Sequence, residues 1–153
     1  MEKSLFEHNL KTLSPINNET DQKTTPQTRV KFSTDGACIG NPGPGVWACL
    51  LRFDRHEHEM FGTHPRTTNN RMELQAVIEG LKWLSLRGPH TVLVSTDSQY
   101  VYLGATAWLP VWKARCWKKS SRSSSGGSLP VLNQDLWFEL DWLTAKHTMV
   151  WQW

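Results

Sequence analysis

Residues 69 to 86 read Asn-Asn-Arg-Met-Glu-Leu-Gln-Ala-Val-Ile-Glu-Gly-Leu-Lys-Trp-Leu-Ser-Leu. Within this run Leu74, Val77, Ile78, Leu81 and Leu84 recur at the i, i+3, i+4, i+7, i+10 spacing of one buried helical stripe. Thr67, Thr68, Asn69 and Asn70 supply N-cap chemistry ahead of it, and Gly88-Pro89 ends it. Before the helix, Val30, Phe32 and Thr34 alternate with Lys31, Ser33 and Asp35, the period of a strand over Arg29 to Asp35. After it, Thr91 to Thr96 reads as another strand. A strand, a long helix and a strand form a crossover, which makes a parallel pair and an α/β domain.

The residues between the first strand and the helix fill in the rest of the sheet. Gly36 to Gly45, dense in glycine and proline, predicts a turn-rich loop. Val46 to Phe53 and Glu57 to Thr63 predict two more strands joined at Asp54 to His56, so the first three strands form an antiparallel meander. Beyond Asp97, residues 98 to 112 read as helical and irregular by turns, and Ser120 to Ser128 as a flexible Ser/Gly loop. Gln134 to Leu143 predicts a helix with Leu136, Trp137, Leu140 and Leu143 on one side, and His147 to Trp153 a final strand. Residues 1 to 28, rich in Asn, Thr, Gln and Glu, read as a disordered N-terminal extension, with the domain proper over 29 to 153.

A chain of 153 residues with 39% hydrophobic and 20% charged residues holds one core of its own. Its apolar runs fall far short of the ~20 residues that span a bilayer. Glu2 and Glu7 interrupt the start where a secretory leader would be apolar, so no membrane association is expected. Three cysteines, Cys38, Cys49 and Cys116, without CxxC spacing argue against a disulfide framework or a zinc knuckle and point to a reducing cytoplasm. The net charge of +3 is a weak sign by itself. Its distribution says more: no acid lies between Asp97 and Asp135, whereas Lys113, Arg115, Lys118, Lys119 and Arg122 do. Trp108, Trp112 and Trp117, from a total of nine tryptophans, interleave with these cations. That is the composition of a surface that grips a nucleic-acid backbone, although the same tryptophans could pack on the core.

Two strands end in the same tripeptide, Ser33-Thr34-Asp35 and Ser95-Thr96-Asp97. Ligand sites in open α/β sheets form outside the carboxyl ends of strands. Glu73, in the first turn of the long helix, can reach the same crevice. Three carboxylates held together repel one another unless protonated or neutralised by cations, and an all-oxygen ligand set suits Mg²⁺ or Mn²⁺. Each acid also has a plainer role open to it: Asp35 as a turn initiator, Glu73 as partner of an Asn70 cap, Asp97 as cap of the next helix. His56-Glu57-His58-Glu59 offers a second metal pattern but falls at a hairpin. The glycine-rich loop lacks the Lys-Ser/Thr ending of a nucleoside-triphosphate loop.

Four ordered motifs resemble type 1 ribonuclease H: Thr34-Asp35-Gly36 with Gly40-Asn41-Pro42-Gly43-Pro44-Gly45; Arg66 to Glu73; Ser95-Thr96-Asp97-Ser98-Gln99-Tyr100-Val101; and Asn133 to Trp137 with Val150 to Trp153. The resemblance implies a ribonuclease H-like fold, a mixed five-stranded sheet flanked by helices. It implies an endonuclease that hydrolyses the RNA strand of RNA/DNA hybrids, leaving 5′-phosphate and 3′-hydroxyl ends, and acting as a monomer. It further implies that Asp35, Glu73 and Asp97 ligate two Mg²⁺ ions, with Mn²⁺ a substitute. Cys38, Asn41, Asn69, Asn70 and Gln99 fall where the family touches the hybrid's minor groove, and Arg66 and Thr68 where it meets a DNA phosphate. Trp108, Trp112, Lys113, Lys118 and Lys119 match its basic protrusion. The family pattern continues past the final strand into a His-bearing loop and a helix with a fourth metal-binding Asp. This sequence reads to Trp153, so the expectation is a C-terminally truncated domain whose second metal lacks a ligand. Two readings stay open: an active enzyme of reduced activity, or a hybrid-binding module or fragment without catalysis.

Overall fold

A computed structural model describes residues 29–120 and 128–153. The expected N-terminal extension over 1–28 and the Ser/Gly loop between Ser120 and Ser128 lie outside the described residues. Three antiparallel strands come first: β1 Arg29–Cys38, β2 Gly43–Phe53 and β3 His56–Thr67. The long helix α1 Asn69–Ser85 then crosses to β4 Thr91–Thr96, which pairs with β1 in parallel, as the crossover predicts. After β4 come α2 Gln99–Leu103, a π-helical turn Gly104–Trp108 and α3 Leu109–Ala114. A small hairpin of β5 Lys118–Ser120 and β6 Ser128–Pro130 leads to α4 Gln134–Thr144 and the last strand, β7 Thr148–Gln152. The five-stranded sheet has the order β3-β2-β1-β4-β7.

Alternation decides which face of this sheet is buried. Val30, Phe32, Cys49, Leu51, Val92 and Val94 point to one side, where they pack with Leu74, Val77, Ile78 and Leu81 of α1 and with Trp137 and Leu140 of α4. Burying this many aliphatic and aromatic side chains, each contributing about 1.5–3 kcal/mol when fully removed from water, is what holds the layers together. The other face carries Lys31, Ser33 and Asp35 together with the exposed Val46, Phe61 and Val150.

The glycine-rich stretch corrects one expectation. It is not a loop throughout, because Gly36, Ala37 and Cys38 pair with Trp47, Val46 and Gly45 and carry the hairpin on until only residues 39–42 connect it. Turn-forming composition is overridden here because glycine pairs normally in a strand and permits close approach from above. β3 is likewise longer than its alternation suggests and runs to Thr67, the residue before the α1 cap. Asp54, with φ 50°, makes the tight turn between β2 and β3.

Candidate active site

Three elements deliver the three acids. Asp35 lies within β1, paired with Ala48; Asp97 follows the last residue of β4; and Glu73 sits near the start of α1. Parallel pairing of Thr34 with Thr96 puts the two strand-borne acids side by side at the same end of the sheet. Carboxylate oxygens of Asp35, Glu73 and Asp97 all lie within 4.8 Å of one another, the one such acidic or metal-ligating group found among the described residues.

The plainer roles open to these acids are filled by other residues. Thr68 is the N-cap of α1, its Oγ1 accepting the Arg71 N–H at 3.4 Å, so Glu73 is not spent on a cap. Ser98 caps α2 by accepting the Val101 N–H at 3.3 Å, which leaves the Asp97 side chain without that task. Asp35 lies inside a paired strand rather than at a turn. The His56 to Glu59 pattern dissolves by alternation: the His58 ring stacks on Trp83 at 4.1 Å, while Glu57 pairs with Arg52 on the opposite face.

Glu73 is 5% exposed, and its Oε2 is buried with no hydrogen-bond partner. Burial raises its carboxyl from the usual 4.5 to about 7, with Asp97 and then Asp35 adding repulsion and the Gly36 N–H pulling the other way. An orphaned buried oxygen beside two exposed carboxylates is a donor set that a divalent cation satisfies. The three residues therefore fit such an ion.

A pH dependence follows for the metal-free chain. The unfolded Glu73 ionises near 4.5 and the folded one near 7, so its contribution is fully present below 4.5 and is lost as pH rises through 7. The loss is about 3 kcal/mol. His90 and His147, both lowered mainly by burial, act in the opposite direction as pH falls below 6.5. Glu73→Gln against wild type isolates the carboxyl: in urea melts with chelator, the variant gains stability over wild type between pH 5 and pH 8. A constant difference across that range would refute the assignment.

Several of the other expected residues lie at the ends of the strands and helices or on their connections. Asn41 Oδ1 accepts the Asn69 N–H at 3.0 Å, tying the β1–β2 connection to the start of α1 next to Thr68 and Asn70. The Cys38 thiol is half-buried among the carbonyls of Gly43 and Thr67, at 3.4 and 3.2 Å. Arg66 is exposed near the end of β3, and Gln99 is exposed at the first position of α2.

The basic segment is a mixture. Lys118 and Lys119 are exposed on the β5–β6 hairpin, whereas Lys113 pairs with Asp141 at 3.0 Å. Trp108 is half-buried against the core. Of the two roles open to Trp112, the structure shows packing on the core: the ring is 8% exposed and packs edge-on against Trp137 at 5.3 Å, which removes its large apolar surface from water. Its remaining edge shares a shallow cavity of about 280 Å³ with Tyr100, Trp108, Lys119 and Leu132. Sequence reasoning misses Arg71, Asn133 and Asp135 as a group, although Asn133 and Asp135 stand in one of the four family-like motifs. The side chains of Asn133 and Asp135 meet the Arg71 guanidinium.

A family model described as RNase H matches residues 27–153. A Ribonuclease H of Halorhodospira halophila is 53% identical over 124 residues, covering 81% of this chain and 78% of that protein. The crystal structure of LC9-RNase H1, described as a type 1 RNase H with the type 2 active-site motif, is 30% identical. It superposes with a TM-score of 0.73 over 86% of this chain and 64% of its own. LC11-RNase H1 in complex with RNA/DNA hybrid is 20% identical, with a TM-score of 0.57 over 80% of this chain and 83% of its own, a likeness of fold.

Proposed function

This chain belongs to the ribonuclease H family, and from that premise we propose that Asp35, Glu73 and Asp97 are its catalytic carboxylates. It is a hydrolase of the RNA strand of RNA/DNA hybrids, in a family that depends on metal. The observation that carries the residue assignment is the convergence of three acids from three elements within 4.8 Å, with the Glu73 oxygen buried and unpartnered.

In this reading Asp35, Glu73 and Asp97 hold two Mg²⁺ ions, or Mn²⁺ in their place. Such ions, when bound, make water nucleophilic and stabilise the leaving oxygen of an in-line displacement that yields 5′-phosphate and 3′-hydroxyl ends. Asn41, Asn69, Asn70 and Gln99 carry amides, each both donor and acceptor, and a 2′-hydroxyl is also both. With Cys38 they would meet the minor groove, where the 2′-hydroxyl separates RNA from DNA. Their support is the Asn41–Asn69 contact at the start of α1, the helix that carries Glu73. Arg66 and Thr68 would hold a DNA phosphate. Trp108, Lys113, Lys118 and Lys119 would form the grip on the DNA strand, with Trp112 backing it from the core. The chain would act as a monomer in the cytoplasm, a reducing compartment that suits three cysteines free of disulfides. No helix among the described residues is long and apolar enough to cross a membrane.

The test is incubation of the chain with end-labelled RNA/DNA hybrid, single-stranded RNA and duplex DNA, with Mg²⁺, Mn²⁺ or chelator. Cutting of the hybrid's RNA alone, only with metal, is expected; cutting of duplex DNA would overturn the substrate assignment. Lys118→Ala with Lys119→Ala should weaken hybrid binding and lower the slope of log affinity against log salt by about 1 for each phosphate that goes unneutralised. An unchanged slope would remove the β5–β6 hairpin from the interface.

A further inference from the structure

The two surfaces assigned to the hybrid stand on separate elements. Asn69 and Asn70 open α1, Gln99 opens α2, and the tryptophan-backed cations belong to α3 and β5. A duplex can engage all of them together only if their spacing is held. A chain of polar side chains links these elements and can hold it.

Arg71, in the first turn of α1, forms a two-pronged ion pair with Asp135, Nη1 to Oδ1 at 3.0 Å and Nη2 to Oδ2 at 2.7 Å. The same Nη1 donates to Asn133 Oδ1 at 3.3 Å. Asn133 Nδ2 in turn donates to the Tyr100 hydroxyl of α2 at 3.1 Å, and Trp137 Nε1 donates to that same oxygen at 2.9 Å. Trp137 packs against Trp112 of α3, and a Cβ on Gly104 of the π turn would fall 2.0 Å from its ring. One connected series thus runs from the start of α1, through the start of α4, to α2 and the base of the basic segment.

Asn133 shows that this is more than helix capping. It occupies the N-cap position of α4 in the left-handed region, φ 56°, and makes no side-chain cap bond. An Asn at that position ordinarily accepts a helix N–H. Here the amide instead spans Arg71 and Tyr100, from a left-handed backbone conformation that Asn tolerates better than other non-glycine residues.

We infer that Asn133, Asp135 and Tyr100 are positioning residues that brace Asn70 and Gln99 at a fixed spacing from the basic segment for hybrid recognition. This rests on the hybrid-binding reading above. The test compares Tyr100→Phe, Asp135→Asn and Asn133→Gly with wild type, measuring affinity for a short RNA/DNA hybrid in chelator and the melting midpoint. Each variant should bind about fivefold more weakly, because each interrupts the series at one residue and frees the recognition elements from their fixed spacing. Asn133→Gly should melt somewhat below wild type, because it loses both side-chain hydrogen bonds while glycine holds the left-handed backbone without strain. Tyr100→Phe combined with Asp135→Asn should lose little more than either alone, since both break the same series. Wild-type affinity in Tyr100→Phe, or fully additive losses, would overturn the brace and leave Asn133 as an independent contact.

Amide hydrogen exchange at Met72 and Tyr102, whose N–H groups make the first backbone hydrogen bonds of α1 and α2 to Thr68 and Ser98, gives a readout in the ligand-free chain that needs no substrate. It should quicken in Tyr100→Phe and in Asp135→Asn, and unchanged exchange at both would also overturn the brace. A wild-type chain that fails to bind hybrid would instead count against the hybrid-binding reading, with exchange still deciding on the brace.

Discussion

Asp35→Asn should give a chain that folds as well as wild type and hydrolyses hybrid RNA slower by a factor on the order of 10³ or more, the scale of several kcal/mol of lost charge stabilisation. The two halves of this expectation have separate causes. Asp35 is exposed on its strand, so an isosteric amide there empties no space in the core. Asp35 is also one of the charges that raise Glu73. Removing it relieves repulsion, so the metal-free variant should be as stable as wild type or slightly more stable. The same exchange leaves the cluster with two ionisable groups in place of three and a weakened hold on any cation. Circular dichroism melts and single-turnover cleavage of end-labelled hybrid separate the effects. Cleavage at the wild-type rate by a folded Asp35→Asn chain would sink the catalytic assignment, and collapse of the fold would make Asp35 a structural residue.

The parts of the fold that were legible in the sequence are those where one local pattern decides the outcome. The stripe Leu74, Val77, Ile78, Leu81 and Leu84 delivered α1 to within a residue of its observed end, and Thr91–Thr96 is a strand over its full expected length. Asp35 and Asp97 could be paired in advance because the two Ser-Thr-Asp tripeptides are in register in the parallel pair, Ser33 beside Ser95, although only β4 stops there and β1 runs on to Cys38. Where nearby chemistry and distant packing disagree, the local pattern misleads. Gly36 to Cys38 have the composition of a turn, but their hydrogen-bond partners in β2 decide the matter, and composition carries no information about those partners. Trp112 lies in a basic segment, but its surroundings include Trp137 on another helix. The Arg71–Asp135 pair spans a sequence separation of 64 and has no periodic signature at all. Charge alone could not single it out from the other surface ions.

Gly36→Ala should be among the most damaging single-methyl additions the chain can receive. The φ of Gly36 is not in the left-handed region, so the demand for glycine is spatial. A Cβ there would lie 2.4 Å from the Glu73 backbone nitrogen, 2.5 Å from the Met72 carbonyl carbon and 2.9 Å from Glu73 Cα. These are backbone atoms of α1, which cannot swing aside as the end of a side chain can, so β1 and the helix must part. Overpacking of this kind costs about 3 kcal/mol or more, the upper end of its usual range. The helix turn displaced is the one that carries Glu73, and the strand displaced is the one that carries Asp35, so the parting also spreads the acid cluster. A misplacement of about 1 Å costs on the order of 10²-fold in rate. Gly88→Ala is the control. At φ +93° it strains the backbone, yet nothing lies within 4 Å of the added methyl, so it should cost about 1–2 kcal/mol and leave cleavage per folded molecule unchanged. Melting midpoints and cleavage rates of the two variants decide the matter. Equal losses of stability with equal activity would mean that β1 and α1 are not pressed together at Gly36, and the cluster's spacing would then depend on the acids rather than on the frame beneath them.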